Sequence, residues 1–201
     1  GDRAANEPWR MAAAALHRLG RAGEIGERFA AQPAAPAVTQ MLAGDLHCPP
    51  TSSMGRMFDA AAGLLGIRSV MAYEGQAAML LEGMALRYGD VLPLDQGWII
   101  DRGNLDLLPL FGILADERNP ERGAALFHAT LAAAIEDWLR VLAPETRAVV
   151  GSGGCFLNQV LVRGLRARVG DRVEQRGFAH VRQAHYAKFH KGVPSSLYRK
   201  Y

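Results

Sequence analysis

Apolar residues recur at helical spacing most regularly between residues 122 and 142. They stand three or four positions apart, which places them along one side of an α-helix, and Pro144 follows as a stop. The stripe consists of Phe127, Leu131, Ala134, Ile135, Trp138 and Leu142. The pattern therefore predicts one long helix with a single buried side.

Two shorter segments show the same spacing and have recognisable ends. Pro8 suits the first turn of a helix over residues 9–19, and Gly20 suits its end. A Thr-Ser-Ser run offers an N-cap for a helix over residues 53–65, and Gly66 follows as its stop. Both segments are predicted to be amphipathic helices.

The regions around these helices are less regular. A further helix is predicted from about residue 74 to residue 88. Gln96-Gly97 separates two short apolar runs and predicts a hairpin turn at that point. Residues 21–50 are rich in Ala, Gly and Pro, which predicts a loop or a short broken helix. The apolar side of the helix over residues 74–88 is predicted to contain Ala77, Leu80, Leu81, Met84 and Tyr88.

A glycine-rich turn is the first sign of chemistry. Residues 151–158 read Gly-Ser-Gly-Gly-Cys-Phe-Leu-Asn, between an apolar run at 148–150 and an amphipathic run at 157–169. The order predicts a strand, a glycine turn and a helix, a setting in which backbone N–H groups and the helix N-terminus can approach a phosphate. An ordinary tight turn accounts for these eight residues equally well.

Six blocks, in the right order, resemble one family. Residues 51–66 resemble the adenine-nucleotide-binding helix of the HypF carbamoyltransferases, which mature [NiFe] hydrogenases. The resemblance covers approximately residues 1–168. The blocks lie at residues 1–5, 7–11, 51–66, 73–78, 106–110 and 127–132.

The resemblance implies a fold and an activity. The fold is of the α/β class: a partial actin-, Hsp70- and sugar-kinase-like (ribonuclease H-like) ATP-binding fold with a largely helical insert. A Kae-like catalytic module would span residues 1–169, and a divergent basic tail residues 170–201. In the family, ATP and carbamoyl phosphate give a carbamoyl-adenylate. Its carbamoyl group passes to the C-terminal Cys of a HypE-like acceptor, for the cyanide ligands of the hydrogenase iron.

The resemblance also assigns nucleotide contacts to four residues. Asp59 would accept hydrogen bonds from ribose hydroxyls, Gly153 and Gly154 would approach the adenylate, and Asn158 would contact it. Taken without the resemblance, Asp59 is an acid favoured by a helix N-terminus and Asn158 is a helix cap. Glu74 is a candidate for supporting the substrate site, although an acid in a first helical turn needs no special function.

The family pattern is incomplete at both ends of the chain. The family holds a divalent metal, zinc or iron, through upstream histidines and an Asp, and through an Asp in an Asn-Asp-Gly-Gly segment. None of these ligands is present, so we assign no metal ligand and expect a piece of an enzyme, inactive alone. His180, His185 and His190 recur every five residues, a step that does not keep them on one face of a helix.

The amino-acid composition indicates in which part of the cell the protein is expected. Hydrophobic residues make up 49% of the 201 residues, enough for a core, yet no apolar run approaches the roughly 20 residues that a membrane span needs. We expect a cytoplasmic protein that does not enter membranes. Cys48 and Cys155 form no Cys-x-x-Cys pair, which fits a reducing compartment. Cys155 is interpreted as a small hydrophobic residue rather than as a nucleophile.

The net charge of +3 is unevenly distributed. Of the 23 Lys and Arg, seven lie in residues 170–201 with two acids, so the remaining residues carry sixteen bases against eighteen acids. A short basic tail is more often a solvated extension than a nucleic-acid site, so nucleic acid is not an expected partner.

The alternative function is a non-catalytic remnant or binding module whose basic tail binds an acidic partner or nucleic acid. Another ATP-dependent kinase of the same fold group is a third, less favoured interpretation.

Overall fold

The computed structural model describes residues 2–145, 148–170 and 173–175, and helices dominate these ranges. Two short 3₁₀ turns, Ala22–Glu24 and Gly154–Leu157, connect longer elements. The strands are β1 (Ile99–Asp101), β2 (Asn104–Asp106), β3 (Val149–Gly151) and β4 (Val173–Gln175). The helices are α1 (Asp2–Asn6), α2 (Pro8–Arg18), α3 (Ile25–Arg28), α4 (Ala35–Ala43), α5 (Met54–Leu64), α6 (Gln76–Tyr88), α7 (Leu108–Asp116), α8 (Pro120–Leu142) and α9 (Gln159–Val169).

Helix α8 is the centre of the packing. It contacts α6 on one side and α9 on another, while α5 packs mainly against α2. Its N-terminus is fixed by Asn119, whose side chain accepts hydrogen bonds from the N–H groups of Glu121 and Arg122. Phe127 and Leu131 are fully buried, as the predicted stripe requires. The long helix predicted from the sequence is therefore confirmed, but its single buried side is wrong. Between α6 and α9, every residue from 123 to 135 except Ala129 is buried, whereas Leu142 at the end of the predicted stripe is exposed.

The shorter helices confirm most of the predicted pattern. Helices α2 and α5 occupy the segments predicted at residues 9–19 and 53–65. The segment at residues 21–50 is a broken series of short helices, in which Pro36 lies in the first turn of α4 and does not interrupt it. None of the helices in the described ranges is both long and apolar enough to cross a membrane.

The predicted helix is confirmed as α6, which ends at Tyr88, but its start and part of its buried side differ from the prediction. The helix begins at Gln76 rather than near Glu74, because Gly75 adopts a left-handed conformation with φ of 79° just before it. Its buried side carries Ala77, Leu81 and Ala85, whereas Leu80 and Tyr88 are exposed. Helix α6 packs against both α8 and α5, and this packing decides which side is buried.

The hairpin predicted around Gln96-Gly97 is wrong, and a hairpin follows a few residues later instead. β1 and β2 pair antiparallel, and the chain reverses at Arg102 and Gly103, whose φ angles of 48° and 82° are both positive. Two-residue hairpins favour turns of this kind because their twist matches that of the strands. Gln96 and Gly97 instead lie just before β1, where the Gly97 carbonyl accepts the N–H of Leu110.

β3 and β4 form a separate parallel pair, in which Val149 stands opposite Val173. β4 lies beyond residue 169, inside the segment predicted to be a basic tail. The predicted division at residues 169 and 170 stays a prediction. His180, His185 and His190, with most of the predicted tail, lie outside the described residues.

Candidate functional site

The glycine turn has the predicted order of strand, turn and helix. β3 ends at Gly151, the 3₁₀ turn begins at Gly154, and α9 begins at Gln159 rather than at residue 157. Gly153 has φ of 97° and ψ of 170°, a conformation that residues with a side chain rarely adopt. The first hydrogen bond of the turn runs from the Phe156 N–H to the Gly153 carbonyl, at 3.1 Å. The N–H groups of Gly154 and Cys155 therefore precede the hydrogen-bonded part of the turn.

Asn158 joins the glycine turn to α9. Its Oδ1 accepts the Leu161 N–H at 2.9 Å, which makes Asn158 the N-cap of α9. Its Nδ2 lies 3.0 Å from Nε2 of His128. The side chain is almost fully buried, so these two contacts fix which way the amide points. The structure thus shows Asn158 as a helix cap, which was the alternative considered from the sequence. The contact of Asn158 with a nucleotide stays a prediction.

His128 is the partner that sequence reasoning missed. Its ring is buried, with 1% exposure, and Nδ1 lies 2.8 Å from the Ala124 carbonyl oxygen, which can only accept. The Nδ1–H therefore donates to Ala124, and Nε2 is left to accept from Asn158. Burial lowers the pKa of His128 to about 4, which keeps the imidazole neutral. One signal for it was present in the sequence: a titratable residue directly beside Phe127 on the apolar side of a long helix.

Asp59 is a buried carboxylate in the middle of α5. It is 3% exposed, and Nη1 of Arg56 lies 3.0 Å from its Oδ2 as an ion pair. The geometry of that pair is not that of an aligned hydrogen bond, and within the described chain Oδ2 has no hydrogen-bond partner. Burial raises the pKa of Asp59 to about 6, although the Arg56 charge opposes the shift. Asp59 lies beyond the first turn of α5, so the helix N-terminus does not account for its position.

The fold brings Asp59 and the glycine turn together. Helix α5 contacts the 3₁₀ turn, and the Cys155 thiol on that turn is half-buried. Burial, and then the negative charge of Asp59, raise the pKa of Cys155, so the thiolate is disfavoured. Phe58, the neighbour of Asp59, packs edge-on against the His128 ring with centroids 5.6 Å apart. Two segments almost 100 residues apart in sequence therefore meet at one place.

Glu74 does not join this cluster. It is exposed in the turn that precedes α6, and none of the described contacts connects it to Asp59 or Asn158. Its predicted role in supporting the substrate site remains a prediction. Over residues 2–145, 148–170 and 173–175, no group of three or more His, Cys, Asp or Glu side chains is placed to hold a metal ion.

Comparison with known proteins gives one family. The sequence profile of a carbamoyltransferase Kae1-like domain, second subdomain, matches residues 1–188. Carbamoyltransferase HypF2 of Cupriavidus necator is 53% identical over 201 residues, a match that covers 86% of this chain and 25% of that protein. Carbamoyltransferase HypF of Rhizobium leguminosarum bv. viciae is 41% identical over 176 residues, covering 86% of this chain and 23% of that protein. The chain thus spans about a quarter of the length of these relatives.

A solved structure supports the fold. The crystal structure of a full-length HypF in its phosphate- and nucleotide-bound form is similar to this chain, with a TM-score of 0.71 at 23% sequence identity. The match covers 87% of this chain and 24% of that one. It confirms the predicted fold class, a partial actin- and ribonuclease H-like fold that is mostly helical with a small sheet.

Proposed function

The chain belongs to the HypF carbamoyltransferase family, and from that membership we propose that it supplies part of the adenylate-binding site of a hydrogenase-maturing carbamoyltransferase. The observation that carries the proposal is the meeting of Asp59 with the glycine turn at residues 151–157. A carboxylate and a turn with leading N–H groups suit the two ends of a nucleoside phosphate.

The proposed roles follow from the chemistry of each group. Asp59 would accept hydrogen bonds from the ribose hydroxyls through its carboxylate group. Gly153 and Gly154 would let the phosphate approach the backbone, since neither carries a Cβ. The side-chain amide of Asn158 carries two N–H hydrogens, and one of them is donated to His128. Asn158 would donate the other to the adenylate. The full-length HypF solved in a nucleotide-bound form supports a nucleotide as the ligand class.

The reaction proposed for the intact protein is acyl transfer. ATP and carbamoyl phosphate would give a carbamoyl-adenylate, and the C-terminal thiolate of a HypE-like acceptor would attack its carbamoyl carbon. A C–S bond forms, the bond from that carbon to the phosphate oxygen breaks, and AMP leaves with the electron pair. This chain would hold the leaving AMP. Ligands for the zinc or iron that the family implies would come from outside the described residues, so no step is assigned to a metal here.

The direct test is adenine-nucleotide binding by the purified chain. We expect AMP and ATP to bind in isothermal titration calorimetry, and Asp59→Asn to weaken both. Asp95→Asn is the matched control, because Asp95 is an exposed carboxylate in a turn outside the cluster. A folded chain that binds neither nucleotide at millimolar concentration would contradict the proposal.

A second test addresses the reaction. Residues 1–188 would replace the matching segment of the Cupriavidus necator HypF2, and carbamoyl transfer to a thiol acceptor would be measured. We expect the chimera to retain activity and to lose it with Asp59→Asn. Binding that depends on salt and disappears when residues 170–201 are removed, with no nucleotide affinity, would favour the binding-module alternative instead.

A further inference from the structure

His128 lies where the elements that carry the predicted nucleotide residues meet. The residue is on α8, its ring packs against Phe58 of α5 with centroids 5.6 Å apart, and its Nε2 is 3.0 Å from Nδ2 of Asn158. Phe58 directly precedes Asp59, and Asn158 directly follows the glycine turn. The buried His128 side chain therefore contacts Phe58, which is next to Asp59, and Asn158, which follows the glycine turn.

Hydrogen bonds at both ring nitrogens hold the His128 ring in one orientation. Its Nδ1–H donates to the Ala124 carbonyl one turn earlier in α8, and the Phe127 ring stands edge-on at 5.5 Å between centroids. With Nδ1 protonated, Nε2 presents a lone pair to Asn158 and can accept only from the amide nitrogen. The amide oxygen is then directed to the Leu161 N–H, as the cap requires. A flipped amide would lose both hydrogen bonds.

We propose that His128 is a positioning residue for the nucleotide site: through its hydrogen bond to Asn158, it fixes the amide that ends the glycine turn. The inference rests on the proposed function, because it concerns how that site is held together. His128 does not contact the nucleotide itself. Its effect on binding passes through the amide of Asn158.

In this proposal, His128 must offer an uncharged hydrogen-bond acceptor to Nδ2 of Asn158. The test variants are chosen to keep or to remove that acceptor. His128→Gln keeps an acceptor, since its Oε1 can take the place of Nε2 toward Asn158. His128→Leu removes it while filling much of the volume. Asn158→Ser keeps a good N-cap but is too short to reach His128. Thr130→Val is the structural control, because Thr130 is a buried residue of α8 whose hydroxyl accepts the Leu94 N–H away from the site.

The experiment measures AMP affinity by calorimetry on the full chain, at a temperature where circular dichroism shows each variant to be folded. We expect His128→Leu to bind AMP about tenfold more weakly, the scale of one hydrogen bond between polar groups. His128→Gln should stay within about twofold of the wild type by the same measure. Thr130→Val should leave the affinity unchanged. In the Asn158→Ser background, His128→Leu should cause no further loss, because the two changes act through one contact.

Nitrogen NMR gives a readout that is independent of the nucleotide. We expect the His128 ring to show a protonated Nδ1 and an unprotonated Nε2, with a scalar coupling across the hydrogen bond to the Asn158 amide nitrogen. Additive losses in the double variant, or equal losses in His128→Leu and Thr130→Val, would overturn the positioning role. If the wild type binds AMP and His128→Leu binds it equally well, only this inference fails. If the folded wild type binds no nucleotide, the proposed function fails with it.

Discussion

Asp59 is a carboxylate that the fold buries without giving its Oδ2 a hydrogen bond, and such a group destabilises the native state when it is charged. Its pKa is raised from 3.8 to about 6, so at pH 8 the folded protein holds a charge that it disfavours. Asp59→Asn removes that charge. We expect the variant to raise the free energy of unfolding by up to about 3 kcal/mol at pH 8, and by about half as much at pH 5.

Urea unfolding at both pH values measures this effect, with Asp95→Asn as the exposed control. The same variant should bind AMP more weakly, because the acceptor for the ribose hydroxyls is weakened. A residue that costs stability but serves binding is typical of a functional site. Unchanged or lower stability at pH 8 would show that the ion pair with Arg56 outweighs the cost of burial.

Sequence reasoning reached Asp59 and Asn158 but not the residues that hold them. Asp59 and Asn158 belong to short contiguous blocks, so a resemblance or a local turn pattern can identify them. The importance of His128 depends on a hydrogen bond across 30 positions, which is set by how helices pack and which no local pattern specifies. The pairing of Arg56 with Asp59 is an i,i+3 contact that helical spacing allows, but the burial of that pair depends on the packing of α5.

The close crossing of α2 and α5 makes a prediction about whole elements. A Cβ added at Gly63 of α5 would lie 2.7 Å from the Pro8 carbonyl oxygen and 2.8 Å from Cβ of Ala12. Both neighbours belong to a helix and cannot move easily. We expect Gly63→Ala to lower the free energy of unfolding by about 1–3 kcal/mol, through overpacking of a well-packed contact.

The matched control is Gly83→Ala in α6. A Cβ there would meet only the end of the Arg87 side chain at 3.7 Å, so alanine fits and favours the helix. We expect this variant to gain about 0.5–1 kcal/mol, the usual helical preference for Ala over Gly. Denaturant unfolding of the two variants should thus give opposite signs. Stabilisation by Gly63→Ala would contradict the close contact between the two helices.

The same packing explains which elements were predictable. Helices α2, α5 and α8 have apolar residues at regular helical spacing, and periodicity alone finds them. It does not reveal that α5 and α8 are buried nearly all round over long runs of residues. In α6 apolar residues lie on two adjacent sides of the helix. The sequence prediction included the large residues Leu80 and Tyr88, which are exposed in the structure. The packing of α6 against α8 and α5 decides the buried side, which carries Ala77, Leu81 and Ala85. The hairpin was misplaced for a related reason: Gly97 serves close packing, where a Cβ would lie 2.4 Å from Cγ2 of Thr130.

At the scale of the whole molecule, α8 joins the two halves of the proposed site. α5 comes from the first third of the described chain and the glycine turn from its end, and each contacts α8 or its His128. The site therefore depends on the tertiary structure as a unit. Its two buried ionisable residues, Asp59 and His128, should also set how the stability of the entire fold depends on pH.

The two residues act in opposite directions between pH 5 and pH 6. The pKa of His128 is lowered to about 4, so the unfolded state binds more protons there and stability rises with pH. The pKa of Asp59 is raised to about 6, so the folded state binds more protons and stability falls with pH. Each residue changes the free energy of unfolding by about 1 kcal/mol between pH 5 and pH 6, and the two changes nearly cancel.

The free energy of unfolding of the wild type, measured in urea, should therefore be almost the same at pH 5 and pH 6. Asp59→Asn should expose a rise of about 1 kcal/mol, and His128→Gln a fall of about the same size. Parallel profiles for all three proteins would mean that these residues do not titrate as their burial requires.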